Sequence, residues 1–447
     1  MSQSKLTKRI KMKIEPKQFR AAPVWRLGIM LLVGIAWAFS MGQSTEFARE
    51  TSRRGDSSQS PAFRVLHAFR DPKNGLDPSG LVEDLAGNLY GVTGAGGDLN
   101  CDLTGSWGCG IVYRLNPAGG ETVLHRFDGS PTDEGGPMGR LVRDAQGNLY
   151  GTTIGSPLYC GTVFKIDNTA KKSVLHIFSC GADGGIPQAG LLRDSAGNLY
   201  GTTSAGGASG QGTVFRIDTS GKESVLYSFT GGSDGGTPQA ALIRDSVGNL
   251  YGTTADGGNL INCNLTGSAG CGVVFKLDTS GLETVLHTFT GPDGIFPNTA
   301  LIRDAAGNLY GTTANGGDLS CNLTGISGCG VVFKLDVSGN LKLLYVFKGG
   351  ADGGIPSADL LQDSTGNLYG STGLRGNSVD CGFPGSGCGV VFRLDTNGKE
   401  TVLHTFSDGA DGGVPDGLLL GADGNIYGTT AIGGGSHNVG VIFKISR

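Results

Sequence analysis

The chain has 447 residues, of which 81 are glycine, 17% are charged and 7% are aromatic. This composition disfavours helices and is typical of many short strands joined by turns. The net charge is −4. The first 26 residues contribute +7, so the other residues together carry −11, which is too acidic to favour binding to nucleic acid or to an anionic membrane surface.

Residues 1–42 are interpreted as an export segment. A basic leader precedes Leu27–Gly42, which contains no charged residue. A short apolar run after a basic stretch is typical of a signal peptide that is cleaved. The length of the basic leader instead favours an uncleaved membrane anchor, and the sequence leaves both alternatives open. Residues 43–61 are polar and are interpreted as a linker.

A pentapeptide, GNLYG or once GNIYG, recurs along the rest of the chain. A period of 50 to 60 residues indicates one structural unit that has been copied. The first glycines of the seven copies are Gly87, Gly147, Gly197, Gly248, Gly307, Gly366 and Gly424.

Each copy contains four short apolar runs separated by turn residues. In the third copy these runs are Leu191–Arg193, Asn198–Thr203, Gly212–Ile217 and Ser224–Phe229, rich in β-branched and aromatic residues. Asp and Gly between the runs predict tight hairpins on one face of the unit, with longer loops on the other. We call the face with the longer loops the loop face. Four antiparallel strands per copy predict the blade of a β-propeller.

The ends of the repeat array predict how the ring closes. The fourth run of a copy occurs once before the first GNLYG and is missing after the last one. Pairing of Ala62–Phe69 with Val439–Ile445 would let the N-terminal strand complete the last blade and leave no exposed edge. The sequence therefore predicts an all-β, seven-bladed propeller over residues 62–447, with four antiparallel strands per blade.

All ten cysteines follow the leader and form five predicted disulfides. Four pairs bracket an insert between the second and third strands, and the fifth pair faces across the third and fourth strands of its blade. Their spacing does not match that of zinc sites. An oxidising compartment follows, so the protein is expected to be periplasmic, secreted or tethered by its N-terminal segment. The pairs are Cys101–Cys109, Cys160–Cys180, Cys263–Cys271, Cys321–Cys329 and Cys381–Cys388.

Every connection between blades has Asp or Asn four positions before a proline. Carboxylates around the mouth of the central channel would suit a cation such as calcium, the one cofactor that the sequence suggests. The alternative is turn chemistry, since Asp-Gly before proline is a turn sequence in its own right. His437, in a glycine-rich loop, is a further candidate binding residue. The candidate ring consists of Asn74, Asp133, Asp183, Asp234, Asp293, Asp352 and Asp411.

The other five histidines share one position in the fourth run, where two copies have Tyr227 and Tyr345 instead. A position that exchanges His with Tyr is typical of packing, so these residues are interpreted as structural. They are His67, His125, His176, His287 and His404.

The sequence leaves two functions of different class. No motif of a catalytic site stands out, so the first is a non-catalytic, monomeric binding module that presents disulfide-stapled loops to an extracellular glycan, peptide or protein. The second is a carbohydrate-active hydrolase or lyase that uses carboxylates of the loop face.

The combination of GNLYGTT, GTVFKID, SGKESVLYSF and DGG before a proline resembles one bacterial family. It is similar to the exported choice-of-anchor tandem repeat GloVer-containing proteins, and the resemblance covers residues 62–447. It implies a repeat propeller at or beyond the cell envelope, without an established activity. Members of that family often carry a C-terminal sorting anchor, whereas the last residue of this chain, Arg447, directly follows a predicted strand.

Overall fold

The structure is a computed structural model that describes most of the chain from residue 61 onward. Within that part, no helix is long and apolar enough to cross a membrane. The predicted leader and linker, residues 1–60, lie outside it and stay predictions. The described residues are 61–101, 108–155, 160–259, 263, 270–323, 325, 327–377, 379–381, 386–435 and 438–447.

Seven antiparallel sheets form the blades of a ring, which confirms the predicted seven-bladed propeller. The first strands of neighbouring blades approach closely around a central channel. A Cβ added to Gly80 of the first blade, for example, would lie 2.6 Å from the Cα of Arg140 in the second. The first strand of each blade is therefore innermost, and the fourth strand lies at the outer rim.

The strands of each blade follow one another from the channel outward. Blade 1 has β2 (Leu76–Glu83), β3 (Leu89–Ala95), β4 (Ile111–Leu115) and β5 (Glu121–Arg126); blade 2 has β6 (Pro137–Arg143), β7 (Leu149–Thr153), β8 (Thr162–Ile166) and β9 (Lys172–Ile177). Blade 3 has β10 (Leu192–Arg193), β11 (Leu199–Thr203), β12 (Thr213–Ile217) and β13 (Glu223–Ser228); blade 4 has β14 (Ile243–Arg244), β15 (Leu250–Thr254), β16 (Val273–Leu277) and β17 (Glu283–Thr288). Blade 5 has β18 (Ile302–Arg303), β19 (Leu309–Thr313), β20 (Val331–Leu335) and β21 (Leu341–Val346); blade 6 has a two-part inner strand, β22 (Gly354–Pro356) and β23 (Leu361–Gln362), then β24 (Leu368–Leu374), β25 (Val390–Leu394) and β26 (Glu400–Thr405). Blade 7 has β27 (Gly413–Leu420), β28 (Ile426–Ile432), β29 (Val441–Ile445) and β1 (Phe63–Ala68), and a short 3-10 helix, Pro72–Asn74, connects β1 to β2.

The ring closes as the sequence predicts. Strand β1 pairs antiparallel with β29, from Phe63 opposite Ile445 to Ala68 opposite Val441. The N-terminal strand thus supplies the outer strand of the blade that the C-terminal repeat begins. This pairing removes the free sheet edges that two unmatched ends would leave.

The GNLYG segment builds the hairpin between the first two strands. In the third copy, the Asp194 carboxylate accepts hydrogen bonds from the Asn198 backbone N–H at 2.8 Å and the Tyr200 hydroxyl at 3.1 Å. Gly197 has a φ of +94°, which favours glycine. A Cβ on Gly201 would lie 2.6 Å from the Phe215 ring, so the second glycine is required by packing. The segment is structural, as expected.

An aromatic contact joins every pair of neighbouring blades. The Phe that follows the fourth strand of one blade packs edge-to-face against the Phe or Tyr of the third strand of the next, with ring centroids 5.1–5.4 Å apart. Edge-to-face pairs contribute about 0.5–1.5 kcal/mol beyond the burial of their surface. Tyr113 of blade 1 stands where the other six blades have Phe, and its hydroxyl is buried without a hydrogen-bond partner among the described residues.

Candidate functional site

Five disulfides link the ten cysteines of the chain. They join the pairs that the sequence predicts, with Cα atoms 5.2–5.7 Å apart. In the part of the chain that the structure describes, no cysteine is free. Cross-links of this kind belong to an oxidising compartment, so the cysteine pairing indicates an exported protein.

The disulfide loops also hold the blade that follows them. In five blades the carbonyl of a disulfide cysteine accepts a hydrogen bond, N···O 2.8–3.1 Å, from the residue before the inner-strand proline of the next blade. In four of these blades the donating residue is not glycine and has a left-handed backbone conformation, with φ between 54° and 60°. These residues are Ile186, Phe296, Ile355 and Val414. Such a backbone is unfavourable for bulky residues and persists only where its surroundings fix it. The same contact forms without a cysteine before blades 4 and 1, where Thr237 and Asp77 donate to the carbonyls of Gln211 and Val439. The contact thus belongs to the repeat, and in five blades a disulfide cysteine supplies its acceptor.

The predicted Asp residues lie at the outer rim, between neighbouring blades. Each carboxylate contacts the His or Tyr near the end of the fourth strand that precedes it. The contacts are His125–Asp133 at 2.8 Å, His176–Asp183 at 3.3 Å, Tyr227–Asp234 at 3.1 Å, His287–Asp293 at 2.9 Å, Tyr345–Asp352 at 3.2 Å and His404–Asp411 at 3.1 Å.

The next blade adds a third member to each of these groups, the first residue of its fourth strand. We call each group of three a rim cluster. Lys172 pairs with Asp133, whereas Glu223, Glu283 and Glu400 face the carboxylates of Asp183, Asp234 and Asp352. Burial, and then the neighbouring carboxylate, raise the pKa of Glu223 to about 6 and the pKa values of Glu283 and Glu400 to about 7.

The six Asp side chains of the candidate ring face the outer strands, where they contact His or Tyr. Several also cap their own loops: the backbone N–H groups of Thr230 and Lys348 donate to Asp234 and Asp352, both at 2.8 Å. These are the contacts that the turn interpretation predicts, because each carboxylate accepts from a backbone N–H of its own loop. Among the described residues, no group of three or more His, Cys, Asp or Glu is placed to hold a metal ion. Calcium binding by the candidate ring stays a prediction, and His437 lies outside the described residues.

Asn74 makes a different contact from the six Asp residues. Its Oδ1 lies 3.5 Å from Nη2 of Arg126, and Nε2 of His67 faces Oε2 of Glu121 at 3.5 Å. The rim cluster between blades 7 and 1 therefore lacks the Asp carboxylate that contacts the His or Tyr in each of the other six clusters.

The channel itself contains three carboxylates that sequence reasoning missed. Asp359, Asp416 and Asp77 come from the consecutive blades 6, 7 and 1. Burial, and then repulsion from Asp416, raise the pKa of Asp77 to about 7, while burial and then Asp359 raise the pKa of Asp416 to about 6. Burial also raises the pKa of Asp359, opposed by the N–H of Ala300 at 2.7 Å and by Arg140.

A comparison of the copies could have found these carboxylates. Asp77 precedes the inner-strand proline, where other blades have Ile, Thr, Phe, Val or Gly. Asp359 stands three residues after the proline, at a position that is occupied by Gly190 in blade 3 and by Ala241 in blade 4. Asp77 and Asp416 stand at positions that are uncharged in every other blade, and the position of Asp359 is charged elsewhere only in blade 2, as Arg140. This departure from the repeat is the signal that was available.

Comparisons with solved structures find the same fold in extracellular domains. One is the extracellular domain of BT3049, a proposed hybrid two-component system from B. thetaiotaomicron, with 14% identity, a TM-score of 0.51, and coverage of 86% of this chain and 41% of that one. Another is that of BT4673, a proposed one-component system of the same organism, with 9% identity, a TM-score of 0.51, and coverage of 85% and 39%. The chain thus spans about two fifths of the length of these structures.

Comparison with curated proteins finds no match. The model of the family described as "Gloeobacter/Verrucomicrobia repeat" matches this chain over three overlapping ranges, residues 55–264, 153–378 and 263–447. These ranges together cover the whole propeller. The chain belongs to the Gloeobacter/Verrucomicrobia repeat family.

Proposed function

We propose that this protein is an exported, non-catalytic binding module that presents disulfide-stapled loops to an extracellular glycan, peptide or protein. The observation that carries the proposal is the set of five disulfides, each of which has a cysteine carbonyl that accepts a hydrogen bond from the next blade. A recognition loop that is fixed before binding loses less conformational entropy when a ligand orders it. The tight-turn face has no comparable reinforcement among the described residues.

Export is supported by the disulfides and agrees with the two similar structures being extracellular domains. We further propose that the basic leader either acts as a cleaved signal or tethers the propeller to the membrane, and that the propeller acts as a monomer. N-terminal sequencing of the mature protein and its mass in solution test these two points.

Array binding with a loop-replaced variant tests the binding function. The insert between Cys321 and Cys329 would be replaced by the short, cysteine-free loop that joins β11 to β12 in blade 3. A glycan or peptide that binds the wild type and is lost or weakened in the variant would support the proposal. The absence of any ligand, or equal binding by both proteins, would contradict a role for the stapled loops.

The channel carboxylates favour one second candidate, a carbohydrate-active hydrolase or lyase. Asp77 and Asp416 have pKa values raised to about 7 and about 6, in the range that suits general acid or base catalysis near neutral pH. Paired carboxylates are also the catalytic groups of most glycoside hydrolases. Turnover of a polysaccharide panel that is abolished by Asp77→Asn or Asp416→Asn would establish this function, and inactivity on every substrate would count against it.

A further inference from the structure

The rim cluster between blades 7 and 1 is open where the other clusters are filled. A cavity of about 390 Å³ is lined there by His67, Arg70, Asp71, Asn74 and Glu121. This volume lies at the low end of the range of ligand pockets, about 300–1,000 Å³. We call this cavity the closure cleft, because it lies where the first and last segments of the chain meet.

Asn74 explains why this cluster is open. In clusters of the same loop length, such as those of Asp183 and Asp352, the carboxylate bonds to the preceding His or Tyr and to a backbone N–H of its own loop. In the connection from blade 7 to blade 1 the turn is capped instead by Asp71, which accepts from the Lys73 N–H at 2.9 Å. Asn74 faces Arg126, so the space beside His67 is not closed by a carboxylate.

Glu121 lines the closure cleft and is its most buried carboxylate. Its side chain is only 10% exposed, and Oε1 is buried without a hydrogen-bond partner among the described residues. The other oxygen, Oε2, is 3.5 Å from Nε2 of His67, a long contact. The equivalent oxygens of Glu223, Glu283 and Glu400 are also buried without a partner among the described residues, so what distinguishes Glu121 is that its side chain lines an open cavity.

The charges around the cleft favour a neutral ligand with many hydroxyl groups. Glu121 and Asp71 are acceptors, whereas the Arg70 guanidinium and the Asn74 amide are donors. An ion of either sign would be attracted by one set and repelled by the other. A hydroxyl group both donates and accepts, so a polyol satisfies both sets at once. Resting on the proposed binding function, we propose that the closure cleft binds a saccharide unit, with Glu121 accepting a hydrogen bond from one of its hydroxyl groups.

The proposal is tested with the full exported protein, a glycan and peptide array, and calorimetric titration with each glycan that binds. Glu121→Gln removes the charge while keeping the shape, and a hydrogen bond to a charged group contributes about 1.5–3 kcal/mol, so affinity should fall about 10-fold to 100-fold. Asn74→Asp should also weaken binding, because it restores the carboxylate that pairs with the histidine in other clusters. Since six copies already have Asp at this position, this second variant keeps the fold. The control is Glu283→Gln, the equivalent change in a closed cluster, which should leave binding unchanged.

The outcomes separate this proposal from the proposed function. Glycan binding that both cleft variants weaken and the control does not would support it. Glycan binding that neither variant affects would overturn the cleft as the site and leave the binding module standing. Binding of peptides alone would overturn the saccharide class but not the function. A wild type that binds nothing on either array would overturn both.

Discussion

We expect Glu283→Gln to stabilise the propeller at neutral and alkaline pH. Glu283 faces the carboxylate of Asp234 in the rim cluster between blades 3 and 4, beside the hydroxyl of Tyr227. One of its carboxylate oxygens is buried with no hydrogen-bond partner among the described residues. Glutamine keeps the shape of the side chain and removes the repulsion between the two carboxylates.

The sign follows from the direction of the pKa shift. The pKa of Glu283 rises from its ordinary value of 4.5 to about 7, with burial as the larger cause. Between these values the folded state binds more protons than the unfolded state, so the free energy of unfolding falls as the pH rises through this window. A fully buried charge with this shift would cost about 3 kcal/mol. Because the side chain is only half-buried, solvent screening reduces the expected gain to about 1 kcal/mol.

Equilibrium urea unfolding at about pH 4.5 and about pH 8 measures this gain. The variant and the wild type should unfold at similar urea concentrations at the lower pH, and the variant should be more stable at the higher pH. The reverse change, Leu341→Glu, places a carboxylate in the equivalent position of blade 5 beside Asp293, and it should destabilise the protein more at the higher pH. An equal effect of Glu283→Gln at both pH values would refute the repulsion between carboxylates as its cause.

Three further predictions concern the core, the disulfides and the channel. Tyr113→Phe should raise the free energy of unfolding by about 1 kcal/mol, because it removes a buried hydroxyl without a partner among the described residues, and lower stability in thermal unfolding would contradict this. Replacing Cys160 and Cys180 with serine removes a disulfide between residues 20 apart and should lower the free energy of unfolding by about 3 kcal/mol. Urea unfolding with the other disulfides intact measures this loss, and a smaller loss would contradict the prediction. Asp416→Asn should lower the pKa of Asp77 from about 7 toward its ordinary value, and an unchanged carboxyl titration by NMR would exclude the coupling between them.

Much of the fold could be predicted because every blade repeats the same local chemistry. Asp194 and Gly197 predict a tight hairpin from sequence, and the hairpin forms with the expected backbone. The strand pairing of the two chain ends was predictable for a different reason, since the copy count left one unmatched strand at each end. The disulfides followed from the position of each cysteine relative to the strands.

The candidate sites were harder to predict because they depend on which blades become neighbours. The Asp residues of the candidate ring looked suited to the channel, since each precedes an inner strand. Their side chains instead turn to the His or Tyr six to eight positions earlier, near the end of the preceding fourth strand. This spacing is local and regular, but it does not by itself show which way the side chains point. The closure cleft depends likewise on the meeting of His67 and Glu121, which are 54 positions apart in the sequence.

The sequence by itself determined the repeat, the four strands of each blade, the closure of the ring and the pairing of the cysteines. These features depend on short-range turn chemistry and on alternating apolar residues, which act the same way in every copy. Only the tertiary structure decided that Asp77, Asp359 and Asp416 share the channel and that one rim cluster stays open. Each of these carboxylates occupies a different position relative to the proline of its own blade, so only ring closure, which places blade 7 between blades 6 and 1, brings them together.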